Sequence, residues 1–147
     1  MERSYRLLQH RMRSTAEIRR SLQAAGFPTR VVEEAISRLL QQGLLDDDAF
    51  ARSWSESRQA FRPRSRRLIR KELRDKGIAP ELADRLTEGI DDDVVALELA
   101  RHKAASMTGL QHETFVRRLS RYLYNRGFTH STVARTLSSV RSPEDVS

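Results

Sequence analysis

Apolar residues recur at intervals of three and four along almost the whole chain, and runs of alternating β-branched residues are missing. That period belongs to helices and predicts an all-α fold. Three segments repeat one pattern: "EIRRSLQAAGF" (17–27), "LIRKELRDKGI" (68–78) and "RLSRYLYNRGF" (118–128). Each reads apolar, three spacers, Leu, three spacers, Gly, then a large apolar residue, the matched positions being Ile18, Leu22, Gly26 and Phe27, then Ile69, Leu73, Gly77 and Ile78, then Leu119, Leu123, Gly127 and Phe128. Apolar residues four apart share a helical face, Gly supplies the left-handed residue that stops the helix, and the next apolar side chain is expected to fold back over the last turn.

A second helix is expected after each stop, over "PTRVVEEAISRLLQQG", "APELADRLTEG" and "THSTVARTLSSV", with Pro, Thr or Ser near its start. A third precedes each: "ERSYRLLQHRM" at the N-terminus, then "GLLDDDAFARSWSESRQAF" and "GIDDDVVALELARHKAAS". In the middle one Phe50, Trp54 and Phe61 are expected to form an inward stripe, and Tyr122 and Tyr124 are also read mainly as core. The pattern predicts three tandem three-helix repeats, at about 1–45, 46–90 and 91–141, with 142–147 a flexible tail. A repeat this short is near the lower limit for independent folding, so neighbours are expected to pack into an elongated, modestly curved rod.

Charge changes the picture at one place. Nine basic and two acidic side chains fall between Arg58 and Lys76, and that local excess equals the formal charge of the whole chain, +7. The remaining residues balance, so this is a basic patch, which suits a localised anionic partner. The chain has no Cys, and its four His, at 10, 102, 112 and 130, lack ligand spacing, which removes disulfide, thiolate-zinc and thiol-nucleophile chemistry. No cofactor is expected, and the cytoplasm is the expected compartment. Met1 to Arg13 has no apolar core segment, and the longest apolar run, Val94 to Leu97, is far too short for a bilayer, so neither secretion nor a membrane partner is expected.

The Asp triplets at 46–48 and 91–93 could suggest Mg²⁺ chemistry, but both stand where a helix begins. Asp there accepts from free N–H groups and opposes the positive end of the dipole, and three consecutive helical residues do not converge on one metal. No Gly-rich phosphate loop, paired carboxylates or nucleophile with its base is found, so no catalytic or metal-binding residue is expected.

In "SRQAFRPRSRRLIRKELRDKGI" the Pro makes "FRPR" a turn, with Ser65 as the expected N-cap of the helix that follows. Ile69 and Leu73 mark the apolar side, Leu68 its edge, and Arg66, Arg67, Arg70, Lys71 and Arg74 the other arc. Like-charge pairs four apart weaken the isolated helix, each by about 0.2–0.5 kcal/mol, with Lys71 and Asp75 the favourable exception. An anionic partner restores that loss. Arg58, Arg62 and Arg64 widen the same footprint.

These residues carry a resemblance. "GLLDDDAFARSW" followed by "RPRSRRLIRKELRDKGI" resembles the RecX family of bacterial recombinase regulators, as do Leu7 to Phe27, and the likeness covers nearly the whole chain and is densest in the middle repeat. The resemblance implies three tandem three-helix repeats, no enzymatic activity, and a monomer that lodges on the RecA nucleoprotein filament, and on single- or double-stranded DNA, to inhibit the recombinase. Arg117, Arg118 and Arg121 of the third repeat join the expected contact residues. The alternative is a helix-turn-helix transcription regulator, but its recognition helix should display Asn, Gln, Ser or Thr to base edges. The outward arc here is Arg and Lys, which suits phosphate or acidic protein surface.

Overall fold

The computed structural model describes residues 1–4 and 12–140. Among these, ordered structure is entirely helical: α1 Thr15–Ala24, α2 Thr29–Gln41, α3 Asp47–Phe61, α4 Arg66–Asp75, α5 Pro80–Thr87, α6 Asp92–Ala105, α7 His112–Asn125 and α8 His130–Ser139. The expected N-terminal helix falls largely on residues 5–11, and the expected tail is 142–147, both outside the described residues. The chain divides into two compact units, one of residues 1–56 with 71–86, the other of 57–70 with 87 onward, so the divisions fall inside α3, inside α4 and before the last residue of α5.

In the first unit α1 and α2 bury Ile18, Leu22, Val32, Ile36 and Leu39 together with Leu45. In the second, Ala96, Ala100 and Ala104 make a small-residue face four apart on α6. Phe115, Leu119 and Leu123 of α7, with Phe128 and Val133, complete that core. Small residues on one helix let larger ones on its neighbours fill the layer between them.

The three Gly stops end their helices as the spacing predicts. Behind Gly77 (φ +83°), Ile78 N–H donates to Leu73 C=O at 3.0 Å and Gly77 N–H to Arg74 C=O at 2.9 Å. The same pair of bonds closes α1 at Gly26 and α7 at Gly127. The residue after the stop is buried at Ile78 and Phe128 but 44% exposed at Phe27. The difference lies in what stands beside each Gly. A Cβ on Gly77 would meet Ala16 Cβ at 2.3 Å, and one on Gly127 would meet Ser65 Oγ at 2.4 Å and Leu68 Cβ at 2.8 Å, whereas Gly26 has nothing within 4 Å among the described residues.

The expected inward stripe of α3 also needs correction. Phe50 is buried and Trp54 half-buried, its ring 5.9 Å from Phe50 and beneath Lys76 Nζ at 5.0 Å, but Phe61 is 83% exposed. Beyond Ser55 no residue of α3 is fully buried, so its last turn continues the apolar period while Phe61 stays in solvent. Tyr122 packs against the second core, while Tyr124 is exposed and its hydroxyl lies 2.7 Å from His130 Nδ1.

Both Asp triplets work as caps, and each does so twice. Asp46 Oδ1 accepts from Ala49 N–H at 3.1 Å, and Asp91 Oδ1 from Asp93 and Val94 N–H, so the first carboxylate of each triplet caps its own helix. The middle one caps a different helix. Asp47 Oδ1 accepts from Thr15 N–H and Asp92 Oδ1 from Arg66 N–H, each at 2.8 Å and each at the first residue of α1 or α4. The third pairs with an arginine, Asp48 with Arg52 and Asp93 with Arg135. Replacing Asp47 or Asp92 by Ala should therefore cost about 0.5–2 kcal/mol, as a lost cap does. Amide exchange should quicken at Thr15 in Asp47→Ala and at Arg66 in Asp92→Ala, which a merely local loss at the start of α3 or α6 would not produce.

Candidate functional site

The basic segment is built on a pinned turn. As α3 ends, Arg62 N–H donates to Arg58 C=O at 3.2 Å and Arg64 Nε to Arg62 C=O at 2.9 Å. Pro63 cannot continue the helix. Arg126, just before Gly127, holds the turn from the side: its Nη1 donates to Pro63 C=O at 3.4 Å, and its C=O accepts from Ser65 N–H at 2.9 Å. The Arg126 guanidinium also lies over the Tyr122 ring, 4.9 Å from its centre. Ser65 is the N-cap that the sequence predicts, buried, its Oγ accepting from Leu68 N–H at 3.1 Å.

On α4, Ile69 and Leu73 are wholly buried. At about 100° per residue the direction opposite to them is that of Lys71, flanked by Arg67, Arg74 and Asp75, and all four are exposed. Arg66 and Arg70, expected well inside the outward arc, stand nearer the buried side and are half-buried. Arg66 Nε is buried with no hydrogen-bond partner. Lys71 Nζ meets Asp75 Oδ2 at 2.8 Å, the favourable pair expected from the spacing. That hydrogen bond, more than the neighbouring positive charges, holds the Asp75 carboxyl below the usual carboxylate range. Arg67 Nη2 donates to Gly127 C=O at 3.2 Å. Arg74 is exposed at the far end of the helix, where the dipole favours a cation.

Of the other expected residues, Arg62 is exposed and Arg58 and Arg64 are half-buried. Arg117, Arg118 and Arg121 lie on the exposed side of α7, opposite buried Leu119 and Leu123. Arg58, Arg62, Arg64, Arg66, Arg67 and Arg70 belong to the second compact unit together with those three, and Lys71 and Arg74 to the first. Arg126 positions the turn and Asp92 the start of α4, roles that local spacing does not show. Their partners lie 63 and 26 residues away, beyond the reach of local spacing.

Among the described residues no group of His, Asp or Glu could hold a metal ion, and no helix is long and apolar enough to cross a membrane. The chemistry on offer is a row of cations on an anchored helix, with arginine forks suited to phosphate or carboxylate.

Comparison with known proteins bears on what that row belongs to. The family model of the RecX first three-helix domain matches residues 1–39, and that of the second three-helix domain matches 46–85. "Regulatory protein RecX" of Streptomyces coelicolor is 30% identical over 142 residues, which cover 95% of this chain and 76% of that protein. The protein of the same name from Prosthecochloris aestuarii is 34% identical over 130 residues, covering 88% of this chain and 85% of that one. The crystal structure of RecX from Lactobacillus salivarius superposes with a TM-score of 0.72 at 17% identity, over 94% of this chain and 92% of that one. A second crystal structure of regulatory protein RecX gives a TM-score of 0.75 at 23% identity, over 93% of this chain and 70% of that one. The two solved structures share its fold, and the relatives and matched domains establish its descent: the chain belongs to the RecX family of regulatory proteins.

Proposed function

We propose that this chain binds the nucleoprotein filament of the RecA recombinase, and DNA, and inhibits the recombinase without catalysing a reaction of its own. Three repeats, at about 1–45, 46–90 and 91–141, present the contact residues, and the protein acts as a monomer in the cytoplasm. The observation that carries the reading is the division of α4: Ile69 and Leu73 are fully buried while Arg67, Lys71 and Arg74 face outward. From Ser57 to Lys71 the sequence contains six Arg, one Lys and no acid. Such a face loses local stability unless an anionic surface meets it. The exposed cations of α4 lack the Asn, Gln, Ser or Thr that would read base edges, which favours phosphate over an operator sequence.

The test is RecA's DNA-dependent ATP hydrolysis, titrated with this protein. Inhibition should rise to saturation, and direct binding to DNA should weaken steeply with salt while depending little on sequence, because each neutralised phosphate releases counterions. No inhibition at any concentration would sink the reading. Tight binding to one duplex sequence at high salt would install the transcription-regulator alternative instead.

A further inference from the structure

Phe61 is more exposed than any other large apolar side chain among the described residues. It is the last residue of α3, and the turn that follows it is held by Arg126 through Pro63 C=O and Ser65 N–H, so the ring stands on a fixed base. Its chain neighbours are Gln59, Ala60, Arg62, Pro63 and Arg64. An aromatic that anchors a protein partner usually sits within a desolvated apolar cluster. Phe61 has instead Arg62 and Arg64 as near neighbours along the chain, on a segment without a carboxylate. A flat exposed ring flanked by cations matches a chain that offers one π-face and one negative charge per unit.

We infer that Phe61 is a stacking platform for an unpaired base of single-stranded DNA, with Arg62 and Arg64 on the adjoining phosphates. The inference rests on the proposal above that the basic segment meets DNA, and it adds which form of DNA is preferred and why. A base can lie on the ring only when it is out of a duplex, so Phe61 discriminates strands, whereas the arginines attract both forms.

Fluorescence anisotropy with a labelled thymidylate 20-mer, and with a duplex of the same length, tests it across a salt series on the full chain. Phe61→Ala should weaken single-strand binding by about 5- to 100-fold, the range for one lost base stack. It should leave the salt slope and the duplex affinity unchanged, and Phe61→Trp should retain binding. Arg62→Ala should instead lower the single-strand slope by about 0.7, one phosphate's worth. Since the ring is exposed, the thermal melt of Phe61→Ala should match that of wild type. Unchanged single-strand affinity in Phe61→Ala, or an equal loss on single strand and duplex, overturns the inference. So does intact DNA binding with weakened association with RecA, which would make the ring a protein anchor. Failure of the wild-type protein to bind either DNA would remove the underlying reading of the basic segment as well, and that outcome is visible before any variant is made.

Discussion

Reversing Arg62, Arg67 and Arg74 to Glu together should abolish the proposed inhibition of RecA's ATP hydrolysis, while the thermal melt moves by only a few degrees. All three side chains are exposed. Like-charge juxtaposition at a docking surface costs several kcal/mol, so the apparent affinity should fall by about 100-fold or more. The fold has little reason to suffer. Glu at 67 sits in the first turn of α4, where the dipole favours an anion, and gains Lys71 four residues on, which offsets the lost bond to Gly127 C=O. Glu at 74 gains Arg70 on the preceding turn, which offsets the dipole's preference for a cation at that end. Arg66 and Arg70 are left alone because they are half-buried, and a carboxylate in place of the buried Arg66 Nε would unfold rather than inform. A folded triple variant that inhibits as well as wild type would dismiss this face and move attention to Arg117, Arg118 and Arg121.

Gly77→Ala should be strongly destabilising for a single added methyl. The residue has φ +83°, and its new Cβ would lie 2.3 Å from Ala16 Cβ, an atom fixed to the backbone of α1. The left-handed conformation costs about 1–2 kcal/mol for any L side chain, and forcing a methyl into an occupied site adds about 1–3 kcal/mol. The melting temperature should drop by about 5–15 °C at this chain length. Gly26→Ala is the internal control. It has φ +90° but nothing within 4 Å among the described residues, so only the conformational part, about 1–2 kcal/mol, should appear. Equal losses in the two variants would show that the close approach at Ala16 is not tight.

The comparison of these two glycines also separates what the sequence discloses from what it hides. The stop at Gly26, Gly77 and Gly127, the buried Ile and Leu four apart, the Ser65 cap and the Lys71 to Asp75 pair are all local. Their geometry follows from residues within one or two turns, and spacing suffices to read them. Phe27 and Phe61 show the limit. Periodicity names the face a side chain occupies, but burial depends on whether another element covers that face, and nothing in eleven residues of pattern says that α3 outruns its packing after Ser55. The cationic arc is narrower than expected: at about 100° per residue from the buried pair Ile69 and Leu73, Arg66 and Arg70 fall toward the buried side and Lys71 opposite to it. Arg126, Asp47 and Asp92 were hidden by distance along the chain, since each acts on a partner at least 26 residues away.

The middle carboxylate of each Asp triplet bears on the order in which the protein can be made. As the chain leaves the ribosome, the first repeat emerges with the Thr15 N–H and the Ser14 hydroxyl awaiting Asp47 and the Lys76 carbonyl, 32 and 62 residues behind. Synthesis runs at about 5–20 residues per second, so α1 passes several seconds without the groups that complete its start. The start of α1 is therefore completed by Asp47 at the head of α3 and by the Lys76 carbonyl, and the start of α4 by Asp92 at the head of α6, so each of these two helices waits for chain that is made after it.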